Sequence, residues 1–327
     1  MKTLTWIRSA LIAVTAVASL ALSGCTATSE PATATVGLTF IPNIQFAPFY
    51  IADKNDFYSD NVTVTLRHHG SGEGLFTAIA AGEEDFVVAG GDEILEARTQ
   101  GIDIVAVGSY YVQYPARLIV LEDSAINSVA DLKGHSVGLP GRFGENWYAL
   151  LIALDQAGLT DNEVEIAEIG YTAQVALTTG KVDAVVGFSN SDAVNFASAN
   201  FPVKVIDLNT PLVSICLATT RSFADTNPEV VKTVISAMKK GMETATADTE
   251  GTLELAVDYI PSFRGETMDA ARQVLPATAV LFADSEGRIS PALDPQQWTD
   301  MAQAMGSVGL IPQGTDASAA FTNQFAG

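Results

Sequence analysis

The chain reads as an α/β protein assembled from parallel strand–helix units. Three observations carry this reading. The stretch Val36 to Tyr50, VGLTFIPNIQFAPFY, runs as strand, loop and helix start. Short strands then alternate with short helices over the first two thirds of the sequence, the rhythm of a parallel sheet with crossover helices. The length, 327 residues, allows one large or two medium domains with ample core.

The N-terminus precedes that pattern. Lys2 and Arg8 make a basic start, and Ala10 to Leu22 are nearly all apolar. Such a run is short for a membrane span, so residues 1–24 are expected to be a signal peptide. Leu22-Ser23-Gly24-Cys25 has the form of a bacterial lipobox, which makes Cys25 the expected lipid-bearing residue. A plain secretory signal with an incidental cysteine is the alternative. Residues 25–35, rich in Thr, Ala, Ser and Pro, read as a flexible tether. Formal net charge is −21, and loss of Lys2 and Arg8 with the signal deepens it. So acidic an exported domain has no electrostatic reason to bind nucleic acid or anionic lipid. After Cys25 only Cys216 remains, within the apolar run LVSICLA, so it reads as a buried small hydrophobe with no disulfide partner. No apolar run beyond residue 24 is long enough for a transmembrane helix.

In the opening unit Val36, Leu38 and Phe40 alternate with Gly37 and Thr39, as in a strand with one buried face. Pro42 and Asn43 break the pattern, and Pro48 suits the first turn of the helix that follows. Val62 to Arg67 alternates as a second strand. The loop Ser71 to Gly74 leads into a helix over Leu75 to Ala81. Asp85 to Ala89 is a short apolar strand ending in Gly90-Gly91-Asp92, and a helix over Glu93 to Gln100 stops at Gly101. Ile102 to Gly108 is a strand followed by Tyr110-Tyr111. Pro115 to Leu121, Ser136 to Leu139, Val164 to Ile169, Asp183 to Gly187, Val203 to Asp207 and Leu212 to Ala218 supply further strands. From Asn227 the pattern is mostly helical. A long helix capped by Asn227-Pro228 reaches Met242, and others cover Thr252 to Tyr259, Glu266 to Leu275 (stopped by Pro276) and Pro295 to Met305.

In open α/β sheets, ligands sit at the carboxyl ends of the strands. That rule selects Asn43, Gln45, Phe46 and Tyr50 after the first strand, and Ser71, Gly72 and Glu73 after the second. Gly90, Gly91 and Asp92 follow the third strand, and Tyr110 and Tyr111 the fourth, one tyrosine of the pair facing the site. Farther along, Arg142, Phe143, Gly144 and Trp147 open a helix, while Tyr171, Thr172, Phe188 and Asn190 end two more strands. Loop amides read donors and acceptors on a ring edge, and aromatic rings stack on its faces. Bland roles compete with these: core packing for Phe46 and Phe49, a turn for Asn43, a helix-start acid for Glu73, and the buried face of its own helix for Trp147. Anion sites want basic residues at helix starts. Here Glu73, Asp92 and Glu145 occupy those places and only Arg142 is basic, so a neutral or weakly cationic heteroaromatic fits better.

The enzyme classes with short signatures find little support. The sequence has no Gly-x-Ser-x-Gly elbow and no phosphate-loop Gly-Lys-Ser/Thr. His68 and His69 are adjacent on a strand edge, face opposite ways, and read as solvated surface residues, as does His135. No metal site and no cofactor are expected.

IPNIQFAPFYIA at 41–52, the Gly-Gly turn after Ala89 and DLKGHSVGLP at 131–140 recur together in one group. With them, the mature chain resembles type II solute-binding proteins of ABC importers, in the branch for sulfonates, nitrate, thiamine pyrimidine precursors and riboflavin. The resemblance implies two α/β lobes of mixed sheets flanked by helices, with the ligand cleft between them. Lobe one would comprise 36–121 and 217–327, and lobe two 122–216. It also implies a monomeric receptor, held outside the cell membrane by lipid on Cys25, that delivers a thiamine pyrimidine precursor or riboflavin to a permease. A receptor for a small sulfonate, nitrate or other organic anion is the alternative within the branch. Pyrimidine-synthesising enzymes of the same superfamily carry a cysteine-rich iron motif, which this sequence lacks.

Overall fold

The structure, a computed structural model, describes residues 31–70 and 73–326. The expected signal peptide, Cys25, Ser71 and Gly72 lie outside the described residues. The chain begins with β1 (Ala32–Leu38), a 3-10 turn at Ile44–Phe46, α1 (Ala47–Lys54), β2 (Val62–His68), α2 (Thr77–Ala81), β3 (Phe86–Gly90), α3 (Gly91–Thr99) and β4 (Ile104–Ser109). A second set follows: β5 (Ala116–Leu121), β6 (Ser136–Leu139), α4 (Gly144–Gln156), β7 (Glu165–Glu168), α5 (Ala173–Thr178), β8 (Ala184–Phe188), α6 (Asp192–Ser198) and β9 (Val203–Asp207). The chain returns through β10 (Ile215–Thr220) and ends in α7 (Arg221–Thr226), α8 (Pro228–Ala247), α9 (Thr249–Ala256), α10 (Glu266–Phe282) and α11 (Pro295–Ser307).

These strands form two mixed sheets, ordered β2-β1-β3-β10-β4 and β7-β6-β8-β5-β9. In each sheet four strands run in one direction and the strand in fourth position is antiparallel to both its neighbours. That fourth strand is the crossing segment: β10 enters the first sheet from the second half, and β5 enters the second from the first. β5 therefore pairs with β8 and β9, so Ala116–Leu121 belongs with the second lobe and the boundary expected after residue 121 falls one strand late. The passages between sheets are residues 110–115 and 208–214. Likewise β1 starts at Ala32, so residues 32–35 are strand rather than tether.

Burial explains the element types. β3 (FVVAG) is buried along its whole length, as a central strand covered on both faces must be. β1 ends at Leu38, because Phe40 lies beyond the ladder and is exposed rather than part of the alternating strand. α1 buries Ala47 through Ala52 and is pressed against α8, where Gly241 leaves room for the backbone of Pro48. α10 runs through Pro276 instead of stopping there; the exposed position forgoes one backbone hydrogen bond, while buried Leu275, Leu281 and Phe282 hold the helix down. One apolar core lies beneath the first sheet with α1, α8, α9 and α10. A second runs through both sheets with α3, α4 and α11, and a third backs the second sheet under α5 and α6. No helix among the described residues is long and apolar enough to cross a membrane.

Candidate functional site

The carboxyl ends of the parallel strands of the two sheets meet at one edge. From the first sheet come the loops after β1, β2, β3 and β4; from the second come those after β6, β7 and β8. Contacts across this edge are direct. The Phe40 and Tyr171 rings lie 6.2 Å apart, centroid to centroid. The Tyr114 hydroxyl, on the first passage between sheets, is 2.6 Å from Asp92 Oδ2 and 3.1 Å from the Glu145 carbonyl oxygen. Asn190 Nδ2 donates to Thr278 Oγ1 at 3.0 Å, joining β8's end to α10. The Tyr148 hydroxyl donates to Glu96, joining α4 to α3.

The loop after β1 is fixed by its own amide. Asn43 Oδ1 accepts from the Gln45 backbone N–H and caps the 3-10 turn, so the turn role is real. Gln45 gives its carbonyl to the Tyr110 hydroxyl at 2.6 Å. Tyr50 is not on the loop surface: it is wholly buried, stacked on Tyr259, with its hydroxyl 3.0 Å from His68 Nε2. Phe46 is buried edge-on to His68, and Tyr110 and Tyr111 stack beneath the site, both out of solvent. These rings support the loop from below. Glu73 pairs with Arg67 at 2.7 Å and accepts from the Gly70 N–H, so it closes its own loop.

The histidines correct the surface reading of that region. His69 is buried, with Nε2 at 2.9 and 3.1 Å from the two oxygens of buried Glu84, which also takes Arg67. His68 bridges Tyr50 and the Phe40 carbonyl, and burial pushes its pKa down. Their side chains make separate networks, and no group of His, Cys, Asp and Glu among the described residues has metal-binding geometry.

In the second lobe Arg142 turns away from an anion-holding role. It pairs with Asp161 at 3.2 Å and lies 3.9 Å from Glu168, with its guanidinium over Trp147. Trp147 itself is buried in the core that crosses both sheets, the bland alternative for that residue. Phe143 and Tyr171 do present exposed rings, 61% and 78% accessible, and Phe143 arches over Gly141. Thr172 donates to the Ile169 carbonyl, and Phe188 is half-buried at the end of β8. Gly91 packs against Val213 of the return passage, where a Cβ would come within 2.5 Å of Val213 Cγ1; its glycine serves packing.

At the centre stand three carboxyls. Asp92 and Glu93 open α3, and Glu145 opens α4. The Cβ position of Gly90 lies 3.3 Å from Glu145 Cγ, and that of Gly144 lies 3.1 Å from Glu93 Oε1, so small residues on each side allow the approach. Gly144 also takes a φ of +67°, which suits glycine. Burial, with Tyr114 and backbone donors opposing it, raises the Asp92 pKa to about 7. Burial and then the Asp92 charge raise Glu93 to about 8. Glu145 is pushed well up by burial and by both neighbours. Hydrogen counting agrees. Tyr114 has one hydroxyl hydrogen and two acceptors beside it, and a proton on Asp92 supplies the second bond. Glu93 and Tyr114 were missing from the residues picked by strand ends. The doubled acid after Gly90-Gly91 was a usable signal for the first; Tyr114 sits on a passage with no periodic pattern.

Two cavities are lined by residues other than the three carboxyls. One of about 240 Å³ is lined by Gln113, Tyr114, Arg117, Asp207, Thr210 and Gln297, behind the passages. Another of about 430 Å³ lies on the second lobe beside Ser128, Gln156 and Asn209.

Known proteins resemble this chain in sequence or in fold. The riboflavin-binding protein RibY of Chloroflexus aurantiacus is 29% identical over 300 residues, covering 89% of this chain and 85% of that protein. The 4-amino-5-hydroxymethyl-2-methylpyrimidine phosphate synthase of Legionella pneumophila is 22% identical over 298 residues, covering 89% and 91%. The crystal structure of the periplasmic aliphatic sulphonate binding protein SsuA of Escherichia coli superposes with a TM-score of 0.69 at 20% identity, over 89% of this chain and 92% of that one, a likeness of fold. The model of the family described as NMT1/THI5 like matches residues 43–251, and the chain, folded as a periplasmic binding protein, belongs to that family.

Proposed function

We propose that this chain is the extracytoplasmic solute receptor of an ABC importer and that it captures a planar, vitamin-like heteroaromatic, riboflavin or a thiamine pyrimidine precursor. The observation that carries the reading is the chemistry of the shared strand-end edge. Exposed rings of Phe40, Phe143 and Tyr171 stand at its rim, and buried carboxyls and amides form its floor. Its one sequence-nominated cation, Arg142, is spent on Asp161 and Glu168. Such a floor offers no cation to hold a sulfonate or nitrate and suits a ring whose edge makes hydrogen bonds. RibY supports the flavin choice, and the pyrimidine synthase name supports the pyrimidine one.

Mechanistically, the ring enters between the lobes, the rim aromatics cover its faces, and amides and carboxyls read its edge. Closure about residues 110–115 and 208–214 then presents both lobes to a permease, the hinge motion that two-lobed receptors use. Export by residues 1–24 and lipid on Cys25 would hold the receptor at the membrane. Mass spectrometry of the lipidated N-terminus tests that anchor.

The experiment is a titration of the mature chain with riboflavin, with 4-amino-5-hydroxymethyl-2-methylpyrimidine and with methanesulfonate, read by tryptophan emission and melting temperature. A heteroaromatic is expected to raise the melting temperature and to be recovered unchanged. Stabilisation by methanesulfonate alone would reverse the ligand class. Because a synthase is among the relatives, product is assayed as well, and turnover at catalytic protein levels would make the chain an enzyme.

A further inference from the structure

The loop that carries Phe40 is tied down by a histidine whose proton the geometry locates. After β1 the Phe40 N–H turns back to the Leu38 carbonyl at 2.8 Å, and Thr39 Oγ1 donates to the Val88 carbonyl at 2.6 Å. The Phe40 carbonyl oxygen lies 3.0 Å from Nδ1 of His68, the last residue of β2. A carbonyl oxygen only accepts, so Nδ1 carries a hydrogen. On the other side of the ring, Nε2 lies 3.0 Å from the Tyr50 hydroxyl. Burial lowers the His68 pKa, which leaves the ring neutral at about pH 7 and Nε2 bare. The Tyr50 hydrogen then points to Nε2, and its oxygen accepts from the Asn43 N–H at 3.3 Å. One tautomer satisfies the whole set. The other would set a bare Nδ1 against the Phe40 carbonyl, acceptor facing acceptor. Two rings pack against the imidazole: Phe46 at 5.6 Å between centroids, edge-on, and Tyr50 at 5.7 Å. The neighbouring charged groups are engaged elsewhere. His69 Nε2 faces both Glu84 oxygens, and Arg67 pairs with Glu73 and Glu84.

The Phe40 ring is exposed and faces Tyr171 of the second lobe at 6.2 Å. Its place depends on its own backbone, and that backbone is held from β2. We infer that His68, as the neutral Nδ1–H tautomer, is a positioning residue: it grips the Phe40 carbonyl and so fixes the Phe40 ring where it covers one face of a planar ligand. This deepens the receptor reading above and rests on it. His68 acts on the ligand through Phe40, and the cost of ordering that ring is met before the ligand arrives. Tyr50, buried beneath the loop, selects the tautomer by donating to Nε2.

Two measurements on the mature chain test this. Nitrogen-edited NMR of the His68 ring at about pH 7 is expected to show a hydrogen on Nδ1 and a bare Nε2. A hydrogen on Nε2 alone overturns the proposal, whatever the ligand. Riboflavin and 4-amino-5-hydroxymethyl-2-methylpyrimidine are then titrated calorimetrically into the wild type and two variants shown by circular dichroism to be folded. His68→Phe keeps a ring between Phe46 and Tyr50 but has no nitrogen. For the compound that binds, it is expected to weaken affinity about threefold to tenfold. His68→Asn sets an amide N–H at the same number of bonds from Cβ as Nδ1, and it is expected to recover most of that loss. Equal affinity in wild type and His68→Phe, or equal weakening in both variants, overturns the positioning role while the receptor reading stands. Failure of both compounds to bind the wild type overturns the two together.

Discussion

Two aromatic residues in the second lobe show how context decides a residue's role. Trp147 and Tyr171 both follow strand ends in the sequence, yet Trp147 is buried in the core and Tyr171 is 78% exposed at the rim. Trp147→Ala is therefore expected to destabilise the fold by about 3–5 kcal/mol, measured by urea unfolding. Tyr171→Ala should leave stability within about 0.5 kcal/mol and cost about 0.5–1.5 kcal/mol of ring binding by calorimetry. The reverse pattern would remove the rim aromatics from the ligand site. Glycine roles divide in the same way. A Cβ at Gly241 would lie 2.1 Å from the Pro48 carbonyl oxygen, which is backbone and cannot rotate aside. Gly241→Ala should cost about 1–3 kcal/mol by forcing α8 away from α1.

Helix starts and helix interiors carry the next set of consequences. The first turns of α3 and α4 bring Asp92, Glu93 and Glu145 together, with Glu96, Tyr114 and Tyr148 as their titratable neighbours. A carboxyl whose pKa rises on folding holds its proton more tightly in the native state. For Asp92 and Glu93 the linked stability is complete below their ordinary values of 3.8 and 4.5, and it is lost as pH rises through about 7 and about 8. The melting temperature should accordingly fall across that window. Asp92→Asn, which cannot ionise, should flatten the slope; an equally steep slope would mean that other groups set it. In α10 the exposed Pro276 interrupts the hydrogen-bond ladder of a helix that continues regardless. Pro276→Ala restores a donor and should stabilise the protein by up to about 3 kcal/mol in chemical denaturation.

For the molecule as a whole, the two sheets are separate ladders, but the second core passes through both, from Val87 and Ala106 to Val137 and Val186. A shared core couples the lobes, so calorimetry should show one unfolding transition with equal calorimetric and van't Hoff enthalpies. Two resolved transitions would mean that the lobes fold independently. The sequence alone determined the α/β class, the order of nearly every element and the family, because strand periodicity, glycine stops and short motifs are local signals. It also picked Asp92, Tyr171 and Asn190 at strand ends, and these touch Tyr114, Phe40 and Thr278 from distant parts of the chain. Only the tertiary structure decided which sheet β5 joins, that Tyr50 and Trp147 support rather than line the site, that Arg142 is already paired, and that Tyr114 spans the lobes. Each of these depends on what lies across the chain from a residue, and a partner dozens of positions away leaves no mark on local pattern.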